Sequence, residues 1–181
     1  MISEEQKIDS IINGCKAGNR KAQEQLYRSF YRAMMSLCLR YTKNENDAME
    51  VLNSGFYKVY KNIQRYDSLQ GSLYTWIRAI IVNSCLDFIK KKERDFSTQE
   101  INSDTETYIG PEAIEKMNAM ELLGLIRQLP PATQAVFNLY VIEGYNHREI
   151  ARLLGISEGT SKWHLSEARK QMQQLIMSGK E

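Results

Sequence analysis

Apolar residues recur at intervals of three and four along most of this 181-residue chain, which is the spacing of amphipathic helices. No stretch sustains the alternating apolar and polar pattern of a strand. Breaks at Gly18-Asn19, at residues 66–71 and at Pro130-Pro131 divide the pattern into separate helices. We expect helices over residues 3–17, 20–41, 45–65, 73–94 and 116–128, followed by three more after Pro130. The pattern therefore predicts an all-α fold.

Residues 95–115 interrupt this pattern. They are polar, lack helical spacing and contain Gly110-Pro111, as linkers do. The charge divides at the same places, with a net charge of +6 over residues 1–94, −6 over residues 95–115 and +2 over residues 116–181. We predict two small helical domains, residues 1–94 and 116–181, joined by a flexible acidic linker. Two cationic lobes are typical of a nucleic-acid binder with two points of contact.

Residues 144–170 have the pattern of a helix-turn-helix. A short apolar helix stops at Gly155, a residue that readily adopts the positive φ of a tight turn. Ile156 would fill the angle between the two helices, and Ser157 is placed to cap a second, longer helix. The second helix of such a motif is built to lie in the major groove of DNA. This stretch therefore predicts DNA binding by the C-terminal domain.

The second helix of this motif has one polar, cationic face. At about 100° per residue, its inward side carries Ser161, Leu165, Ala168, Met172 and Leu175. Its outward side carries Gly159, Trp163, Ser166 and Lys170, flanked by Lys162 and Arg169, with His164 to one side as a weaker candidate phosphate contact. We expect apolar surface against bases and cations on phosphates. The alternative is that Trp163 packs against a neighbouring helix or domain.

The predicted helix over residues 73–94 carries a second polar stripe. It consists of Trp76, Asn83, Asp87, Lys90 and Arg94, and Lys91 and Lys92 extend its cationic end. The five stripe residues lie within roughly 60° of one another around the helix. Two apolar sets flank them: Tyr74, Ile77, Ile81, Cys85 and Phe88 on one side, and Ala79, Val82, Leu86 and Ile89 on the other.

The residue types in this stripe suit an unpaired strand. Asn and Asp can hydrogen-bond base edges, an aromatic ring can stack on an unpaired base, and lysines attract the backbone. The alternative is a buried amphipathic helix whose Asn83 and Asp87 are satisfied by neighbouring groups and whose basic end is solvated. In combination with a helix-turn-helix across an acidic linker, the stripe predicts a strand-binding site.

Several functional classes find no support in the sequence. No apolar run approaches the roughly 18 residues that a membrane span needs, and the polar N-terminus is unlike a signal peptide. Cys15, Cys38 and Cys85 lack metal-ligand spacing and are expected to be buried, reduced thiols. With two histidines, no nucleophile motif and no glycine-rich phosphate loop, we expect neither an enzyme nor a metal or cofactor site. These features predict a cytoplasmic protein.

The motifs together resemble the small two-domain sigma factors of bacterial RNA polymerase, the extracytoplasmic-function (ECF) group, over residues 22–176. The N-terminal part of the resemblance lies in Leu26-Tyr27-Arg28-Ser29-Phe30-Tyr31, in residues 47–56, in Val59-Tyr60-Lys61-Asn62-Ile63 and in Trp76-Ile77-Arg78 with Asn83 and Asp87. The C-terminal part lies in Leu129-Pro130-Pro131, Glu143-Gly144-Tyr145, Glu149-Ile150-Ala151, residues 154–160 and Ala168-Arg169. Finding both parts in the family's order makes the resemblance specific.

The resemblance implies a non-catalytic specificity subunit that binds promoter DNA, the polymerase core and an anti-sigma factor. The polymerase clamp would contact the third helix through Glu50, Asn53, Ser54, Tyr57 and Lys61. The stripe at Trp76, Asn83 and Asp87 would open the minus-ten element and capture its non-template strand. The recognition helix from Thr160 to Lys170 would read the minus-thirty-five duplex, with Arg148 on a phosphate. The acidic linker would pass through the polymerase cleft.

The chain departs from the family pattern in two places. Ser54 stands where an acid is usual, and Trp163-His164 stands where basic or small residues are more usual. Two other classes remain open at this point. One is a regulator with a similar helix-turn-helix domain, although residues 1–94 show no α/β receiver pattern. The other is a sigma-like decoy that binds polymerase or an anti-sigma factor without opening DNA.

Overall fold

The computed structural model of the chain describes residues 4–92 and 119–178, and every regular element in these ranges is helical. The helices are α1 (Glu4–Lys16), α2 (Arg20–Tyr41), α3 (Glu45–Asn62), α4 (Leu73–Lys92), α5 (Ala119–Gln128), α6 (Pro131–Phe137), α7 (His147–Leu154) and α8 (Glu158–Ser178). A 3-10 turn, Ile63–Arg65, follows α3, and a π-helical segment, Asn138–Ile142, follows α6. The predicted all-α fold is confirmed. The predicted linker lies outside the described residues, as does Arg94.

The described residues form two compact units. The first contains the residues up to Cys38 together with Asn44–Cys85, and the second contains Leu39–Lys43 together with the described residues from Leu86 onward. Each unit has a core of its own. The largest fully buried side chains of the first unit are Leu26, Met34, Leu37, Leu52, Phe56, Ile63, Ile77 and Ile81, and those of the second are Leu86, Ile126, Leu129 and Leu139.

Close packing of α4 against α3 depends on a glycine. A Cβ added at Gly55 would lie 2.4 Å from Cδ1 of Ile81, and Ile81 is fully buried. The absence of a side chain at Gly55 therefore lets the two helices approach, with Ile77 and Ile81 in the core. The start of α4 is fixed by Ser72, whose hydroxyl accepts a hydrogen bond from the Thr75 amide at 3.2 Å.

The turn between α7 and α8 has the expected geometry. Gly155 adopts φ 73° and donates its backbone N–H to the carbonyl of Ala151, which ends α7 in a left-handed cap. Ser157 accepts a hydrogen bond from the Thr160 amide at 2.9 Å, and so caps α8. At the other end of α7, Asn146 and Glu149 form a reciprocal capping box. The helix-turn-helix prediction is confirmed in its turn and its caps.

The chain departs from the simple helical pattern after α6. From Asn138 to Ile142 the backbone is π-helical, which widens the turn by one residue. Asn138 and Leu139 remain buried, whereas Tyr140 reaches the surface and stacks on His147 at a ring distance of 4.6 Å. Periodicity of 3.6 residues cannot distinguish such a segment from an ordinary continuation of the helix.

Candidate nucleic-acid interface

The stripe on α4 faces solvent at its polar positions. Asn83, Asp87, Lys90 and Lys91 are exposed, and Trp76 is half-buried. The apolar residues Ile77, Ile81, Val82, Cys85 and Leu86 are buried on the other sides of the helix. Two flanking residues differ from expectation, because Tyr74 and Ala79 are exposed rather than packed. Asn83 and Asp87 are therefore exposed rather than buried, and the side-chain amide of Asn83 bonds a neighbouring backbone carbonyl, as the alternative expected.

Trp76 is held at the start of this stripe by a second aromatic ring. The centroids of Tyr66 and Trp76 are 5.5 Å apart with the planes tilted by 55°. The Tyr66 hydroxyl donates to the carbonyl of Gly71 at 3.2 Å, which fixes the loop that precedes α4. Burial is the main cause that raises the pKa of this phenol. A half-exposed indole backed by a fixed ring offers a stacking surface that loses little conformational entropy when a base arrives.

Two other stripe residues have defined partners. The side-chain amide of Asn83 donates to the carbonyl of Ala79 at 2.9 Å, which orients it along the helix. The ammonium of Lys90 donates to the carbonyl of Leu153 at 2.7 Å, and both residues belong to the second unit. Lys91 is exposed beside it. The cationic end of α4 is thus only partly committed to protein contacts.

The outward face of α8 also faces solvent. Lys162, Ser166, Arg169 and Lys170 are exposed, while Trp163 and Thr160 are half-buried. Trp163 makes an edge contact with His164, the next residue of its own helix, at 4.8 Å and 68°. Arg148, on α7, is exposed as well. This recognition surface, consisting of Arg148, Thr160, Lys162, Trp163, Ser166, Arg169 and Lys170, is cationic and carries one large apolar group.

The two hydroxyl side chains of this surface, Thr160 and Ser166, differ in their hydrogen bonds. The Thr160 hydroxyl lies 2.8 Å from the Ser157 hydroxyl, so it takes part in the cap of α8. The Ser166 hydroxyl makes no hydrogen bond to another described residue and is exposed in the middle of the surface. Ser166 is consequently the better placed of the two to meet a ligand.

The inward side of α8 carries two polar contacts that the sequence did not reveal. His164 is buried, with Nδ1 3.0 Å from the Thr133 hydroxyl, so its expected place beside the outward face is wrong. Ser161 is fully buried, and its hydroxyl lies 2.9 Å from Nδ1 of His147. Leu165, Ala168 and Met172 are buried as expected, and Leu175 is half-buried. Both histidines therefore connect α8 to the rest of its unit.

Both imidazoles favour the neutral form. Burial is the main cause that lowers the pKa of His164, and the carboxylate of Glu167 partly opposes it. Burial is also the main cause that lowers the pKa of His147, followed by the positive charge of Lys162. Because a desolvated imidazolium is costly, each ring is favoured as a neutral hydrogen-bonding group at ordinary pH.

The exposed side of α3 is a third surface. It consists of Glu50, Asn53, Ser54, Tyr57 and Lys61, all of which are exposed. The Tyr27 hydroxyl donates to Oδ1 of Asn53 at 3.1 Å, and the ammonium of Lys61 lies 5.7 Å from the ring of Tyr57. Tyr57 is 64% exposed although it is aromatic. Because tyrosine is enriched in protein interfaces, the exposed ring makes this face a candidate interface.

Two other features are absent from the part of the chain that the structure describes. Its residues bring together no group of three or more His, Cys, Asp or Glu side chains that could hold a metal ion. None of its helices combines the length and apolar character required to cross a bilayer. The three cysteines are buried.

Comparison with known families identifies the arrangement. Residues 26–95, which include α3 and α4, match Sigma-70 region 2, and residues 119–172, which include α7 and most of α8, match Sigma-70, region 4. The two matches together cover more than half of the chain. This chain belongs to the sigma-70 family. It is an RNA polymerase sigma factor of the ECF group, as the similarity to several ECF sigma factors shows.

Relatives align along nearly the whole sigma factor. The ECF RNA polymerase sigma factor SigM of Mycobacterium tuberculosis is 26% identical over 163 residues, covering 88% of this chain and 80% of the relative. The ECF RNA polymerase sigma factor SigW of Bacillus subtilis is 25% identical over 184 residues, covering 95% and 98%. The sigma factor RpoE of Bartonella quintana, solved with the anti-sigma factor NepR, matches with a TM-score of 0.53 at 18% identity, covering 85% of this chain and 96% of that one. The structural likeness shows the fold.

Proposed function

We propose that this sigma factor directs core RNA polymerase to promoters through two separate DNA contacts. The stripe on α4 captures the non-template strand of the minus-ten element, and the recognition surface on α8 reads the minus-thirty-five duplex. The observation that carries the proposal is shared by the two helices. Each buries its apolar sides and presents to solvent a polar face that contains one half-buried tryptophan.

The α4 stripe suits an unpaired strand better than a duplex. Trp76 supplies a flat ring for one base, and the exposed side chains of Asn83 and Asp87 reach base edges. Lys90, Lys91 and Arg94 supply positive charge for the backbone, with Arg94 outside the described residues. Because base–aromatic stacking is available only to an unpaired base, Trp76 favours the opened state of the DNA over the closed duplex.

The recognition surface suits duplex DNA. Its helix follows the turn of a helix-turn-helix, so its first residues would enter the major groove. Lys162, Arg169 and Lys170 are placed for phosphates, and Trp163 and Ser166 for base edges. Arg148 and Thr160 complete the contact from α7 and from the first turn of α8. His164 is buried on the opposite side of α8, and His147, on α7, is half-buried.

The proposed protein partners are inferred from the exposed side of α3 and from the relatives. Glu50, Asn53, Ser54, Tyr57 and Lys61 on α3 would dock on the polymerase clamp. The neighbouring structure of a sigma factor with an anti-sigma factor supports an anti-sigma partner for this chain too. Residues 1–94 and 116–181 would act as the two functional domains, with residues 95–115 as the acidic linker. The role is non-catalytic, requires no cofactor, and is exercised in the cytoplasm together with polymerase.

The two DNA contacts can be tested separately on the assembled holoenzyme. One probe is a single-stranded oligonucleotide from the non-template strand at the minus-ten position. The other is a duplex from the minus-thirty-five position, and binding is followed by fluorescence anisotropy. We expect Trp76→Ala to weaken capture of the single strand by about tenfold, since stacking contributes about 1–3 kcal/mol per base. Binding of the duplex should change little.

Trp163→Ala is the matched variant and should show the opposite pattern. It should weaken duplex binding and leave single-strand capture unchanged. Loss of both activities in both variants would mean that the tryptophans only stabilise the fold. Duplex binding that needs no core polymerase, together with no single-strand capture, would instead indicate a helix-turn-helix regulator.

A further inference from the structure

His147 connects three elements of the helix-turn-helix unit. It is the first residue of α7, and its ring stacks on Tyr140 of the π-helical segment at 4.6 Å with the planes 25° apart. Its Nδ1 lies 2.9 Å from the hydroxyl of Ser161 in α8, and Ser161 is fully buried. The imidazole therefore ties the beginning of the recognition helix to the elements that precede it.

Protonation of His147 leaves this connection intact. A serine hydroxyl both donates and accepts, so the Ser161 hydroxyl can donate to the neutral nitrogen and can accept from the protonated one. The stacked ring of Tyr140 tolerates both forms, because an aromatic face attracts a cation. The contacts thus hold the ring in one place whether or not it carries charge.

The charge around His147 comes mainly from the recognition helix. From α8, Lys162 and Arg169 repel a proton on the ring and Glu158 attracts it, while the π-helical segment presents the phenol of Tyr140. On α7 itself the neighbouring charged residues are Arg148 and Glu149, and Glu149 is held in the capping box with Asn146. The two cations that disfavour the proton, Lys162 and Arg169, are also two of the proposed phosphate contacts.

We propose that His147 is a positioning residue for DNA recognition, which holds α8 through Ser161 and takes up a proton when DNA phosphates occupy the recognition surface. The proposal rests on the proposed function of α8. Phosphates neutralise Lys162 and Arg169 and bring further negative charge, so the repulsion that disfavours an imidazolium becomes an attraction. The proton taken up then adds one positive charge beside the phosphates.

Linkage fixes the direction of the effect. If DNA raises the pKa of His147, affinity for DNA rises as the pH falls through the interval between the unbound and the bound pKa. Below both values the affinity is constant again. One proton limits the change to at most about tenfold in Kd per pH unit. The same acidification destabilises the unbound protein, because the pKa of His147 there is lowered by burial and by Lys162.

The titration can be observed directly, since the chain contains only two histidines. Ring NMR signals of the full chain, labelled on histidine, are followed against pH with and without a duplex from the region upstream of its own coding sequence, at low salt. His147→Gln and His164→Gln assign the signals. Anisotropy of the same labelled duplex gives Kd over the same pH range for the chain assembled with core polymerase.

We expect the His147 signal to titrate at higher pH when the duplex is present. His164, which is buried against Thr133, should titrate as before. The rise in affinity on acidification should be kept in His164→Gln and lost in His147→Gln, which retains an amide near Ser161 but cannot titrate.

Three results would contradict this proposal, and each has a different meaning. Bound duplex with an unchanged His147 titration would overturn this proposal alone. Failure of the holoenzyme to bind the duplex at any pH would overturn the proposed function of α8 and this proposal together. An equal pH dependence of Kd in wild type and His147→Gln would show that other groups take up the proton.

Discussion

Helices α4 and α8 present similar faces to solvent but are held in place by different means. On α4, Ile77 and Ile81 are fully buried, and Gly55 of α3 allows close approach. On α8, the buried side includes Ser161 and His164, whose hydrogen bonds reach His147 and Thr133. The first helix is therefore fixed mainly by apolar packing, and the second also by directional polar contacts.

This difference suits the two proposed tasks. A helix that opens DNA must resist the force of strand separation, and close apolar packing against a neighbouring helix gives a rigid base. A helix that reads a groove needs its angle fixed, and hydrogen bonds have the directionality to fix it. The polar connections also make the placement of α8 sensitive to turn geometry and to its cap.

The largest effect on stability is expected from a substitution that creates a cavity beneath α4. Ile81→Ala should lower the free energy of unfolding by about 2–5 kcal/mol, because Ile81 is fully buried. Urea unfolding in a Trp163→Phe background would measure it, with Trp76 as the reporting fluorophore. Ala79→Ser on the exposed side should change stability by less than about 0.5 kcal/mol. Equal costs for the two changes would contradict a core beneath α4.

A substitution in the turn before α8 should have the next largest effect on stability. Gly155→Ala should cost about 1–2 kcal/mol because a side chain is disfavoured at φ 73°, although the added Cβ meets no atom within 4 Å. Trp163 reports this unfolding in a Trp76→Phe background. Gly124→Ala in α5 is the control, since its added Cβ also meets nothing, and it should stabilise by up to about 1 kcal/mol. A neutral Gly155→Ala would show that the turn carries no conformational demand.

Removing the cap of α8 should have a smaller effect. Ser157→Ala deletes the acceptor for the Thr160 amide and should cost about 1 kcal/mol in the same fluorescence assay. Ser166→Ala, on the exposed face of the same helix, should cost less than about 0.5 kcal/mol. If Ser166→Ala proved the more costly of the two, the assignment of the outward face would have to change.

The smallest expected effect is a difference in pH dependence between the urea midpoints that Trp163 and Trp76 report. The folded-state pKa of both His147 and His164 is lowered, so their contribution to stability is present above the unfolded value of about 6.5 and is lost as the pH falls below it. Between about pH 7.5 and about pH 5.5, the urea midpoint reported by Trp163 should fall more than the midpoint reported by Trp76. Equal falls would mean that the histidines do not distinguish the two helices.

The sequence was sufficient for the features that depend on local physical chemistry. The break at Gly18-Asn19 and the apolar spacing predicted a helix over residues 20–41, and α2 spans Arg20–Tyr41. Gly155 and Ser157 were assigned correctly because a left-handed cap and an N-cap depend on residues within a few positions of one another. The exposed stripe on α4 followed from helical geometry alone.

The errors concern partners that are distant in sequence. His164 was placed beside the outward face, but its partner Thr133 lies 31 positions away, and no periodicity reveals such a pairing. Ala79 was assigned to an apolar face although it is exposed, since a residue this small fits either side of a helix. The π-helical segment and the Tyr140–His147 stack depend likewise on tertiary contacts.

The central claim is that the α4 stripe captures an opened strand. Permanganate footprinting tests it most directly, with this chain, sigma-free core polymerase and DNA from upstream of its own coding sequence. We predict reactive, unpaired thymines that require the chain and disappear in Trp76→Ala, while Ala79→Ser leaves them unchanged. Core polymerase bound by the chain without reactive thymines would contradict the claim and favour a decoy. Undiminished reactivity with Trp76→Ala would remove Trp76 from strand capture.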